Sequence, residues 1–152
     1  SIDFNKNQNI IELGPGTGVF TKEIIKKMSP KSNLISIELN KSFYKQLSHK
    51  FKGNSQFTPV LGSADNISNI IKEQNINSVD VIISSLPLAV IPLRIKAGIF
   101  REVKKVLKED GSFIQFQYSL NAKEILNKRF SSVNITFTPV NIPPAFVYHC
   151  LK

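Results

Sequence analysis

Tryptophan is absent from the 152 residues, cysteine and methionine occur once each, and histidine only twice. A lone cysteine, Cys150, cannot close an internal disulfide, and with two histidines it cannot build a sulfur-rich zinc site, so no metal centre is expected. Long apolar runs are also missing. The nearest approach, residues 79–93, is broken by Asp80, Ser84, Ser85, Pro87 and Pro92, short of the roughly 18 unbroken residues that a membrane-spanning helix needs. Acids are scarce as well: 11 Asp and Glu against 20 Lys and Arg leave a net charge of +9 and a pI near 9.7. Such an excess draws a protein towards polyanions, either nucleic acid or an anionic membrane surface. With neither bridges nor a signal-peptide pattern, the chain reads as cytoplasmic. What remains, 41% hydrophobic and 20% charged, excludes a disordered tail or a coiled coil. The length fits one domain over residues 1–152.

Apolar blocks alternate with helical patterns along the chain. Strands are expected at 9–13, 34–38, 57–61, 79–83, 113–118, 133–137 and 146–151, each a short apolar run closed by turn residues. Pro59 cannot donate to a ladder, which moves the third run towards a sheet edge. Between them lie helices: one carrying Phe20, Ile24, Ile25 and Met28, one capped by Asn40 with Phe43, Tyr44, Leu47 and Phe51 on one face, and a short one capped by Asn66 or Ser68. A further helix spans 93–107, and another 121–130. Glu109-Asp110-Gly111 is expected to turn. Alternation of this kind implies an α/β, doubly wound, mostly parallel seven-stranded sheet. The last two strands are joined through Pro139, Pro143 and Pro144 without a helix, so one strand near the C-terminus is antiparallel.

In such a sheet a ligand binds beyond the carboxyl ends of the strands, and the first strand-to-helix turn touches it. That turn is Glu12-Leu13-Gly14-Pro15-Gly16-Thr17-Gly18. Three glycines at alternate positions permit a tight turn and close approach of backbone to ligand. A dinucleotide fingerprint would need glycine or alanine where Val19 stands. The pattern instead sets a carboxylate just ahead of the turn, which would repel a pyrophosphate and suits a positively charged ligand. Glu38 ends the second strand, at the offset from Gly18 where ribose hydroxyls are gripped. Ser63-Ala64-Asp65 follows the third. Three carboxylates after three successive strands mark a ligand site.

Glu12 to Thr21, with Glu38 and Asp65, resembles the first three motifs of class I S-adenosylmethionine-dependent methyltransferases, and the likeness covers nearly the whole chain. The resemblance implies S-adenosyl-L-methionine as cofactor. Glu12, Gly14, Pro15, Gly16, Thr17 and Gly18 would bind its methionine moiety. Glu38 and the adjoining Leu39 would bind the ribose, Asp65 the adenine amino group, and Ala64 and Asn66 the ring. Ser84 would complete the cofactor set. It also implies helices ahead of the first strand, where only Ser1 to Gln8 stand, so cap helices are expected to be missing.

The acceptor should lie beyond the fourth strand, at Ser84-Ser85-Leu86-Pro87-Leu88. Ribosomal RNA adenine dimethyltransferases read Asn-Leu-Pro-Tyr or Phe there, the amide and the carbonyl before proline holding an exocyclic amine while the ring stacks on the base. This chain keeps Leu86-Pro87 but has Ser85 and Leu88 in place of amide and ring. With Phe116-Gln117-Tyr118 and Asn141-Ile142-Pro143-Pro144-Ala145, the segment is more similar to bacterial phospholipid N-methyltransferases. That resemblance implies methylation of phosphatidylethanolamine-type head groups, with Ser85, Leu86, Pro87 and Tyr118 orienting the amine. No general base is expected, since neither His49 nor His149 falls in a motif. The run 86–93 would face acyl chains, and Arg94, Arg101, Lys104, Lys105 and Lys108 would meet anionic lipid at the inner face of the membrane. RNA adenine methylation and a catalytically silent binding domain are the competing readings.

Overall fold

The computed structural model describes residues 2–139 and 144–152. Strands β1 (Asn9–Leu13), β2 (Asn33–Glu38), β3 (Phe57–Leu61), β4 (Val79–Ser84), β5 (Leu107–Gln117), β6 (Ser132–Thr138) and β7 (Ala145–Leu151) alternate with helices α1 (Val19–Lys27), α2 (Lys41–Lys50), α3 (Ile67–Glu73), α4 (Leu93–Val106) and α5 (Lys123–Asn127). The strands form one sheet in the order β3-β2-β1-β4-β5-β7-β6. Its first five members run parallel, and β7 runs antiparallel to both β5 and β6. The expected doubly wound architecture is therefore present, with Pro59 on the edge strand β3. Strand order reverses between β1 and β4, which opens a crevice above their carboxyl ends.

Burial on both faces explains why these strands read as continuous apolar runs. Successive residues point to opposite sides, and two cores result. Ile10, Leu34, Val81 and Ile114 pack with Ile24 of α1 and Leu47 of α2. Their neighbours Ile11, Ile35, Ile82 and Phe113 pack with α3, α4 and α5 through Ile67, Phe100 and Leu126. Asn40 caps α2 as expected, its Oδ1 accepting from the N–H groups of Ser42 (2.9 Å) and Phe43 (3.1 Å).

Four local expectations change. The segment Glu109-Asp110-Gly111 lies inside β5, as an irregularity where the register jumps from Val79–Leu107 to Val81–Ser112. The helix expected over 121–130 is a 3₁₀ turn, Leu120–Ala122, followed by the five residues of α5. The first turn of α3 is capped by neither Asn66 nor Ser68. Glu102 of α4 accepts from the Ser68 N–H at 2.8 Å, a cap from a distant element that local spacing cannot reveal. Lys108 falls beyond α4 and pairs with Asp80 of β4, so it does not belong to the basic helix face. Residues 140–143, with most of the Asn141–Ala145 motif, lie outside the described residues.

Candidate functional site

β1 ends at Leu13, and the chain turns through Gly14 (φ 70°), Gly16 (φ 56°) and Gly18 (φ 80°), all left-handed. A side chain at Gly18 would also collide with Leu47, its Cβ 2.6 Å from Leu47 Cδ2. At Gly16 a Cβ would meet nothing within 4 Å. The loop therefore presents bare backbone to open space there, at the amino end of α1, where free N–H groups favour a polar ligand.

Glu12 is fully buried. One carboxylate oxygen, Oε2, accepts from Thr21 Oγ1 (2.7 Å) and Ser36 Oγ (2.5 Å), while Oε1 is buried without a partner. Burial pushes its pKa above the usual carboxylate range against the pull of those two hydroxyls, and the charge of Glu38 adds to the rise. Glu38 reaches back over the glycine loop, accepting from the N–H groups of Gly16 (3.0 Å) and Asn40 (2.8 Å). Each carboxylate oxygen can accept twice, so both retain capacity. Leu39 beside it is 75% exposed. Ala64, Asp65 and Asn66 form a 3₁₀ turn after β3. There Asp65 is exposed, its Cβ lying 3.5 Å from the place a Cβ on Gly98 of α4 would occupy. The structure thus ties Glu38 to the loop through the Gly16 N–H, with Glu12 near the end of β1 close enough to feel the Glu38 charge. Asp65, on the turn after β3, lies beside α4.

The glycine turn and the segment after β4 touch. A Cβ on Gly14 would come within 2.9 Å of Leu86 Cδ2, and the Ser85 N–H donates to the Leu13 carbonyl at 3.0 Å. Ser84 is buried, and its Oγ accepts from the Leu86 N–H at 3.3 Å. Ser85 Oγ is a buried atom with no partner among the described residues. The backbone carbonyls near Leu86 and Pro87 were the candidates for orienting the amine, and the Leu86 oxygen is engaged within the chain. That oxygen accepts from the Leu88 N–H (2.8 Å), from Gln115 Nε2 (3.0 Å) and from Gln117 Nε2 (2.8 Å). A carbonyl offers two lone pairs, so nothing is left for a ligand. The Pro87 carbonyl is likewise engaged, by the Val90 N–H at 3.0 Å. Leu88 is buried in the core, and Val90 and Leu93 are 76% and 77% exposed. Tyr118 projects from the end of β5, 72% exposed. The next residue is pinned from below, since the hydroxyl of buried Tyr148 donates to the Ser119 carbonyl at 3.1 Å.

Thr21, Ser36, Gln115, Gln117 and Tyr148 escaped the sequence reading as site residues. For Ser36 and Gln115 the signal was a polar residue two places beyond a core residue on the same strand, Leu34 and Phe113 respectively. Cys150 is buried in β7, and burial pushes its thiol up to about 12, which leaves it unreactive. A cavity of about 480 Å³ among Asn9, Asn33, Thr58, Asn75 and Ser78 lies at the amino ends of the strands, remote from this rim.

The fold and the glycine turn with its buried acid define a Rossmann-like, nucleoside-binding domain. Residues 4–142 match a family described as "Methyltransferase domain". The ornithine lipid N-methyltransferase of Singulisphaera acidiphila is 30% identical over 151 residues, which cover 99% of this chain and 79% of that protein. A ribosomal RNA small subunit methyltransferase A from Mycoplasma mycoides is 42% identical over 50 residues, 33% of this chain and 18% of that protein. Among solved structures, the N-methyltransferase NodS from Bradyrhizobium japonicum, in complex with S-adenosyl-l-homocysteine, superposes with a TM-score of 0.77 at 12% identity, covering 96% of this chain and 79% of that one. The chain belongs to the methyltransferase-domain family and is a class I S-adenosylmethionine-dependent methyltransferase. The site accommodates such a donor. Glu12 Oε1 is a buried acceptor awaiting a partner, and the space beside Gly16 is open.

Proposed function

We propose that the protein N-methylates the amine of an aminolipid head group, of the phosphatidylethanolamine or ornithine-lipid kind. The observation that carries this reading is the acceptor loop. A base drawn out of its stack needs an aromatic or apolar surface in compensation, and Leu88, where the resemblance would set a ring, is turned into the core. The lipid N-methyltransferase similar over 99% of the chain supports the same class.

On this reading Glu12 and the loop from Gly14 through Pro15, Gly16 and Thr17 to Gly18 would hold the methionine end of the donor. Glu38 and Leu39 would hold the ribose, Ala64, Asp65 and Asn66 the base, and Ser84 the floor between donor and acceptor. Bound there, S-adenosylmethionine supplies an electrophilic methyl group on a sulfonium. The protein's own work is to dry the site and align the amine, which can contribute several orders of magnitude in rate. An alkylammonium must first lose one proton, which can pass to bulk water before the neutral amine docks, so the reading assigns no side chain as a dedicated base. Ser85 and Tyr118 would orient the neutral amine. Exposed Leu39, Val90, Leu93 and Tyr118 stand on the carboxyl rim beside Arg94, a composition suited to a peripheral anionic membrane surface. No helix among the described residues is long and apolar enough to cross a membrane.

Incubation with methyl-labelled donor and vesicles containing phosphatidylethanolamine or ornithine lipid should place label in a lipid product separable by thin-layer chromatography. Label in added RNA, with none in lipid, would overturn the reading. Glu38→Ala should weaken S-adenosylhomocysteine binding at least about tenfold by calorimetry, as loss of hydrogen bonds to a charged group does. Unchanged affinity would refute the ribose assignment.

A further inference from the structure

We infer that Gln115 and Gln117 form a positioning clamp that withdraws the Leu86 carbonyl from the acceptor and leaves the Ser85 hydroxyl to orient the amine. This rests on the aminolipid reading above and refines it.

The clamp is a closed lattice of four hydrogen bonds. Gln115 Nε2 donates to the carbonyls of Leu86 (3.0 Å) and Phe116 (3.0 Å). Gln117 Nε2 donates to the same two oxygens, at 2.8 and 2.9 Å. The two side chains are two residues apart on one strand and so share a face, with the Phe116 peptide between them. Because both partners of each carboxamide are carbonyls, its nitrogen end has to face them, and the amide orientation follows from the network.

Packing alone does not account for this arrangement. Both residues are buried, and burying a carboxamide is costly unless it is bonded, whereas the flanking Phe113 fills the same face without that penalty. Gln115 even leaves its own Oε1 buried and unpartnered, an expense borne while its nitrogen holds Leu86. Together with the Leu88 N–H, three donors converge on one carbonyl. Its position is thereby fixed, and its acceptor capacity is closed to ligands.

The chemical consequence is selectivity for the amine. An aromatic exocyclic amine has its lone pair delocalised into the ring and gains from acceptors that draw its N–H groups out of conjugation. An alkylamine has a localised lone pair once its proton is gone, and needs alignment only. A sealed Leu86 carbonyl disfavours the first and does not hinder the second. Ser85 supplies the remaining contact: its N–H is anchored on Leu13, and its Oγ is buried with no partner among the described residues.

Gln117→Met and Gln115→Met keep side-chain length and remove every donor. In full-length protein, each should lower kcat on aminolipid vesicles about tenfold or more while S-adenosylhomocysteine affinity stays within about twofold, the pattern of lost alignment rather than lost donor binding. Hydrogen exchange at the Leu88 amide should rise, because its acceptor is freed to move. Ser85→Ala should lower kcat, and Ser85→Thr, which keeps the hydroxyl, should restore most of it. Unchanged kcat at equal folded fraction, or donor affinity falling in step with kcat, would overturn the clamp. Gln117, at the end of β5, tolerates substitution better than Gln115 and decides the question if the latter variant fails to fold. Should wild-type protein methylate no aminolipid, the functional reading fails, while exchange at Leu88 still reports separately whether the clamp holds the loop.

Discussion

Glu12 combines full burial, two hydroxyl donors on one oxygen and none on the other. An acid whose folded pKa is raised above its unfolded value stabilises the fold fully below the unfolded pKa, and that contribution is lost as pH rises through the folded one. Glu12→Gln keeps an oxygen for Thr21 and Ser36 and places an amide nitrogen where Oε1 has no partner. The variant should therefore gain stability relative to wild type as pH climbs from about 4 to 8, measured by urea unfolding across that range. Parallel curves for the two proteins would mean that Glu12 titrates normally. If the buried carboxylate also faces the donor, the same variant should bind S-adenosylhomocysteine more weakly.

At the scale of elements, the turn from β1 into α1 separates stability from binding. A non-glycine residue in the left-handed region costs roughly 1–2 kcal/mol. Gly18→Ala adds a collision with Leu47 and should lower Tm well beyond that strain. Gly16→Ala has open space around its new methyl, so it should lose donor affinity more than stability; the reverse ranking, read by calorimetry and thermal melts, would displace the ligand from Gly16. Asn40→Ala removes two accepted N–H bonds from α2 and should cost about 1 kcal/mol in denaturant unfolding. These elements were legible in the sequence because their signals are local: an apolar run, a glycine turn, a cap one residue before a helix. The cap on α3 was not, since Glu102 is 34 residues from the N–H it accepts. Nor was the fate of the Leu86 carbonyl, which depends on β5 lying beside β4. The three acids were read from their strand ends, and only the fold shows that Glu38 bonds to Gly16 of the glycine turn while Asp65 lies beside α4.

For the whole molecule, charge and rim act together. A protein of +9 with apolar side chains on one edge should bind vesicles of anionic lipid, and binding should fall at least about tenfold between roughly 0.05 and 0.3 M salt as screening shortens. Salt-independent sedimentation with vesicles would assign the association to the apolar rim alone. The basic side of α4 contributes less than its sequence suggests. Lys108 is held by Asp80, and Lys105 lies 4.0 Å from Glu102, so among the described residues the cations of α4 in no salt bridge are Arg94, Lys96, Arg101 and Lys104.

The contact of Gly14 with Leu86, tied by the Ser85-to-Leu13 hydrogen bond, has a thermodynamic corollary. With donor and amine bound as proposed above, the two would share this wall and be able to influence each other's binding. Whatever factor donor binding applies to the affinity for the amine, amine binding must return to the donor, so a substitution at Leu86 should alter that reciprocal factor even where neither separate dissociation constant moves.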